Sequence, residues 1–198
     1  MAERLTALEV ARAAEWFAMA VNYPGPRASG LPPVPGASVE RWLDDADGLL
    51  EARDPVEYTG LFDIGKPEPP VPLMESHYHQ DKQARLRKVV SFYRAYGVMN
   101  HSEFSPDHLC VELAYLAHLA YLAADYPYRD DLVNAYVSFA RVHPGSWIGK
   151  CAAALRAESP DSVFTILFSA LERFLADAAG SDEAVRPLPA GRHAELSQ

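Results

Sequence analysis

The sequence predicts an all-α fold, and three observations carry that expectation. Apolar residues recur at spacings of three and four along most of the chain. No stretch sustains the period-two alternation of a half-buried strand. Serine, proline and glycine fall where helices would start and stop. With 198 residues, 49% of them hydrophobic, the chain can bury a sizeable core, and a single domain is the simplest arrangement.

The elements follow in order. Over residues 2 to about 22, Leu5, Leu8, Ala11, Ala14, Phe17 and Val21 mark one helical face. Residues 23–38 carry Pro24, Pro26, Pro32, Pro33 and Pro35 and must be loop, because proline lacks the amide donor a helix needs. Ser38 is the expected N-cap of a helix holding Trp42, Leu43, Leu49 and Leu50. Residues 54–62 read as a short helix with Pro55 in its first turn, where the missing donor is tolerated. Residues 65–74 are a second proline-rich stretch, expected to run extended in polyproline geometry.

Residues 81–96 read as a helix terminated by Gly97. Ser105-Pro106-Asp107 is the strongest helix start, with serine as cap, proline in the first turn and aspartate at the positive end of the dipole. The helix that follows, to about residue 124, is apolar nearly all round and should lie at the centre. Residues 128–142 and 146–157 give two more helices, divided at Pro144-Gly145. Ser159-Pro160-Asp161 repeats the start signal for a last helix, which Gly180 ends. Residues 181–198 have little to bury and are expected to be a mobile tail, leaving 1–180 as the helical domain.

A net charge of −9 disfavours nucleic acid as a partner and suits a basic one. Cys110 and Cys151 sit in apolar helical patterns with no CxxC motif, as expected of buried thiols in a reducing compartment. No signal-peptide core and no run of roughly 20 apolar residues is present, so the expected location is cytoplasmic, without stable membrane insertion.

Nothing points to catalysis. There is no GxSxG elbow, no GxxxxGK[ST] loop and no strand-linked GxGxxG. His77, His79, His101 and His108 are of the type zinc uses, yet no cysteine pair or HExxH spacing accompanies them, and no metal or other cofactor is expected. Cys151 beside Lys150 is better explained by burial than by reactivity. What remains is an aromatic and proline-rich constellation suited to a rigid peptide groove: Tyr58-x-x-Leu61-Phe62, the segment ending Pro72-Leu73-Met74-Glu75-Ser76-His77-Tyr78, and Pro106-Asp107-His108-Leu109.

These residues carry a resemblance. Tyr58-x-x-Leu61-Phe62, Pro69-Pro70-x-Pro72-Leu73-x-Glu75-Ser76-x-Tyr78 and Pro106-Asp107-His108-Leu109-x-x-Glu112-Leu113 resemble the TorD/DmsD/NarJ family, the system-specific chaperones of molybdenum oxidoreductases. The resemblance implies a bundle of roughly ten helices, with residues 63–80 as a hinge. It implies binding of the N-terminal leader of a catalytic subunit, commonly a twin-arginine signal, until its molybdenum cofactor is inserted. By position, Tyr58, Leu61, Phe62, Pro70, Pro72, Asp107 and His108 would form the leader site, and Glu75, Ser76, Tyr78 and Glu112 would support the hinge. The chain would be a monomer or a domain-swapped dimer. A helical scaffold for a folded partner, a nucleotide- or cofactor-binding protein, and a metal enzyme using His77, His79 and His108 stand as alternatives. Met74, where many relatives carry an aromatic residue, bears on which cargo is held.

Overall fold

The computed structural model describes residues 5–24, 36–63, 68–99 and 103–180. Among them there is no strand; the secondary structure is helical, with one isolated antiparallel bridge between Met74 and His108. The helices are α1 (Ala7–Ala20), α2 (Ala46–Glu51), α3 (Pro55–Tyr58), α4 (Lys82–Ala95), α5 (Leu109–Asp125), α6 (Asp130–Val142), α7 (Pro144–Glu158) and α8 (Val163–Ala179). Seven of these are six residues or longer, and α3 is a single turn that widens into a π-turn over Thr59–Asp63. The count is therefore lower than the roughly ten expected. Among the described residues, the stretches between α1 and α4 make short turns, such as Gly36–Ser38 and Glu75–Tyr78, in place of further helices. Prolines there remove the donors that longer helices would need. The expected mobile tail, 181–198, and the beginning of the second proline-rich stretch, 65–67, lie outside the described residues.

Several start signals act one step away from where sequence places them. Ser38 ends a 3₁₀ turn, and the helix after it opens later, capped by Asp45 in the left-handed region at φ 51°. Aspartate tolerates that region better than most residues because its short side chain bonds locally, here to the Gly48 amide. Ser105 does not cap α5: its hydroxyl is given to the Asp107 carboxylate, and His108 is the cap, its Nδ1 accepting from the Cys110 amide at 3.3 Å. Likewise Ser162, rather than Ser159, caps α8 through the Phe164 amide. Pro144 is the first residue of α7 rather than part of a break before 146, and α1 opens at Ala7. Thr6 and Glu9 form a capping box on α1, Asp81 caps α4, and Gly97 ends α4 at φ 70°.

Helix α5 is central, as its all-round apolar pattern implies. It packs along α1 on one side and α6 on another, while α8 closes over α6, α7 and α1. Leu109, Leu113, Leu116 and Leu119 of α5 are fully buried, together with Trp16, Phe17, Phe139, Trp147, Phe164, Phe168 and Phe174 from its neighbours. The buried side chains form one continuous cluster. Trp42 Nε1 donates to Asp177 at 2.9 Å, and Arg173 donates to the Trp42 carbonyl, tying the loop before α2 to the end of α8.

Truncation separates this core from its surface. Leu116→Ala is expected to cost about 2–5 kcal/mol, since the cavity cannot fully collapse. Ile166→Ala, on the exposed face of α8, should stay within about 0.5 kcal/mol. Urea unfolding of both variants checks this; equal midpoints would contradict the central placement of α5.

Candidate functional site

The second proline-rich stretch runs across the bundle as a strap, and its backbone is sewn down at both ends. The Val71 amide donates to the Leu61 carbonyl at 3.0 Å, and the Leu109 amide donates back to Leu73 at 2.9 Å. The Glu75 amide donates to the Asp107 carbonyl at 2.9 Å. Proline-rich backbone cannot form a ladder of its own, so each such bond is supplied by a neighbour. The Asp107 side chain adds the next stitch: one oxygen accepts the Ser76 amide at 3.0 Å and the other the Ser105 hydroxyl. Burial pushes the Asp107 carboxyl up, but the bonds from Ser105 and Ser76 outweigh it and hold the group below its usual range. Tyr78 folds back to donate to the Pro72 carbonyl at 3.0 Å while its ring stacks on Trp147 at 5.0 Å.

Glu75 follows the strap into the interior and is fully buried. Its Oε1 accepts from Arg85 Nε at 2.7 Å, and its Oε2 lies 3.0 Å from His143 Nδ1. Burial raises the Glu75 carboxyl, and the bonds from His143 and Arg85 bring it back below the ordinary value. Glu112 on α5 stands beside it, also fully buried, with Trp147 Nε1 donating to its Oε2 at 3.1 Å. Its carboxyl meets that of Glu75 as a hydrogen-bonded pair. Burial and the adjacent Glu75 charge push the Glu112 carboxyl far above its usual range. Among the described residues, Glu75, Glu112 and His143 are the group whose donor atoms converge, all within 4.8 Å of one another. His77, His79 and His108 form no such group among them, and His101 lies outside the described residues.

The residues singled out in the sequence fall into two sets. Tyr58, Leu61 and Phe62 are buried, their rings packed on α8 through Phe164 and Phe168. Asp107 is buried under the strap, and His108 is mostly covered, its ring stacked on Phe104 at 4.5 Å. Pro72 is half-buried and Pro70 exposed on the strap itself. Leu61 joins the two sets, because its carbonyl receives the strap at Val71. Glu75, Ser76, Tyr78 and Glu112 all sit on the strap or directly beneath it, as described.

Directly outside Tyr58 lies an open apolar depression of about 400 Å³, lined by Tyr23, Pro55, Val56, Thr59 and Gly60. Val56 is 79% exposed and Tyr23 50%. A side chain at Gly60 would meet nothing within 4 Å. The chain around it is acidic: residues 44–63 carry Asp44, Asp45, Asp47, Glu51, Asp54, Glu57 and Asp63, against Arg53. Arg53 is turned inward to the carbonyls of Leu50, Met19, Ala20 and Asn22. Sequence reasoning named Tyr58, Leu61 and Phe62, which do not line the depression, and missed Val56 and Gly60, which carry no pattern until α3 and the π-turn place them side by side. Arg85 and His143 were missed as well. Arg85 sits in an ordinary polar helix face, and His143 precedes a proline that reads only as a helix boundary.

The family described as nitrate reductase delta subunit matches residues 37–153, more than half of the chain, and the chain belongs to it. This is the family of TorD-, DmsD- and NarJ-type maturation chaperones, which assist redox enzymes and are not enzymes themselves. Among solved structures, the chain is similar to a protein from Archaeoglobus fulgidus provisionally described as a redox enzyme maturation protein. The two share 22% identity at a TM-score of 0.56, over 83% of this chain and 93% of the other. No curated protein matches the chain in sequence. No helix among the described residues is long and apolar enough to cross a membrane.

Two outcomes follow from the stitching. Asp107→Ala leaves the Ser76 amide and Ser105 hydroxyl without their acceptor, and should cost about 1–3 kcal/mol in chemical unfolding; an unchanged midpoint would contradict the role of the carboxylate. Burial lowers the His108 imidazole to about 4. The unfolded chain, with an ordinary value near 6.5, then binds more protons than the folded one between those values. Stability is full above pH ~6.5 and falls as pH drops toward 4, by up to about 1.4 kcal/mol per pH unit from this group. His108→Asn, which keeps a capping acceptor, should flatten that acid slope; an identical slope would assign it to other groups.

Proposed function

We propose that the protein is a cytoplasmic chaperone that captures the N-terminal leader of a molybdenum oxidoreductase catalytic subunit, holding the subunit until its cofactor is inserted and then releasing it. Family membership supports the maturation role, and the observation that carries the leader reading is the acidic apolar depression outside Tyr58. A leader that is basic at one end and apolar along one face matches both properties at once. Apolar side chains would enter between Tyr23, Val56 and Gly60, and basic residues would lie along Asp54 and Asp63. Tyr58, Leu61 and Phe62 then serve as the rigid floor of the seat, and Pro70 and Pro72 as the neighbouring edge. Asp107 and His108 act through the strap: from beneath it, they hold that edge in place against α5.

Capture of this kind needs no chemistry. Rigid aromatic and proline surfaces lose little conformational freedom on binding, so the modest area available can still give useful affinity. Release follows when folded cargo or the export machinery competes for the leader.

Calorimetric titration with the leader peptide of a molybdenum oxidoreductase encoded beside this protein tests the reading. Saturable binding that weakens as salt rises from 50 to ~500 mM is expected, because exposed charges are screened. Val56→Lys places a cation at an exposed position and should weaken binding at least tenfold while leaving thermal stability unchanged. Full-strength binding by Val56→Lys would remove the leader from this face, and absence of any binding by the native chain would overturn the reading.

A further inference from the structure

Beneath the strap, three donors converge in a way that the chaperone reading does not use. We infer that Glu75, Glu112 and His143 form a site for one divalent zinc-type cation, seated where the strap meets α5 and the corner between α6 and α7. Both carboxylates are presented by one oxygen while the other is held. Glu75 Oε1 is held by Arg85 at 2.7 Å, which leaves Oε2 facing His143 Nδ1 at 3.0 Å. Glu112 Oε2 is held by Trp147 at 3.1 Å, which leaves Oε1 beside the Glu75 carboxyl in the same space. Such outer contacts are what orient metal ligands.

The dimensions agree. Zinc takes nitrogen and carboxylate oxygen at ~2.0–2.2 Å, which sets donors roughly 3.4 Å apart around a tetrahedron. The three donors here span separations of up to 4.8 Å, the shortest printed being 3.0 Å, so small side-chain movements bring them to that spacing. One imidazole with two carboxylates and a free fourth position is a zinc donor set, and the imidazole disfavours magnesium and calcium, which prefer oxygen alone. All three ligands are at most 1% exposed, so loading requires the strap to part or the metal to bind during folding.

The test uses the full chain, unfolded and refolded with zinc chloride, then passed through a weak chelator. The expected result is one zinc per chain and a higher melting temperature. Glu112→Gln keeps the side-chain shape and the neutral form, and should refold normally yet bind zinc at least a hundredfold more weakly. His77→Ala, on the outer turn, should bind as the native chain does. Cobalt in place of zinc should give visible d–d bands without a thiolate charge-transfer band, a readout that holds even where Glu112→Gln does not fold. No zinc above a metal-free control, undiminished binding by Glu112→Gln, loss of zinc in His77→Ala, or a thiolate band from Cys110 or Cys151 would each overturn the site. Zinc uptake needs no leader, so its failure leaves the leader reading untouched.

Discussion

Two buried carboxylates hold the strap, and most of the structure's particular features depend on them. A proline-rich segment cannot satisfy its own backbone, and left alone it would stay solvated and mobile. Here Asp107 gives a carbonyl to the Glu75 amide and a carboxylate to the Ser76 amide, while Glu75 carries its charge into the core to meet Arg85 and His143. Taking such charges out of water costs several kcal/mol each unless their partners are well placed. Every partner named is contributed by a different element: the loop before α5, the strap, α4, and the corner before α7. The strap therefore sits down only when the surrounding helices are assembled, and the assembled helices leave no better acceptor for its amides.

The leucine and aromatic core around α5 is continuous and takes in Val71 and Leu73 of the strap, so the strap is packed as part of the bundle. The strap meets the π-turn through the bond from the Val71 amide to the Leu61 carbonyl. Leu61 lies beneath the same π-turn that lines the open depression with Thr59 and Gly60. A widened turn is a common sign of functional constraint. The residues of this turn are thus one hydrogen bond from the strap.

Much of the fold was legible in the chain, for reasons visible in particular residues. Helix α5 declared itself as central because Leu109, Leu113, Leu116 and Leu119 leave no polar face wide enough for water. The described part of the second proline-rich stretch, 68–74, declared itself as non-helical. The caps were misplaced where a serine had a better use: Ser105 gives its hydroxyl to Asp107, a contact set by tertiary structure and absent from any local rule. The motif residues were recognised, and the structure places them as a connected set around the strap. Their roles were harder to read, because a conspicuous aspartate at a helix start looks like a surface charge until the strap covers it. Val56 and Gly60 had no signal, since exposure and the absence of a side chain leave no pattern. His143 and Arg85 meet Glu75 across 68 and 10 residues of chain, and spacing cannot foretell such a meeting.

The most direct measurement of the clamp is native-state hydrogen exchange at the amides of Val71, Glu75, Ser76 and Leu109. Exchange follows local opening, so it reports each stitch separately from global unfolding. If Asp107 and Glu75 hold the strap as described, these four amides are protected nearly as well as those in the middle of α5. In Asp107→Ala, the Glu75 and Ser76 amides then lose protection while the middle of α5 keeps its own. Exchange of all four at the rate of an open loop in the native chain would contradict the account, because the strap would not be clamped at all.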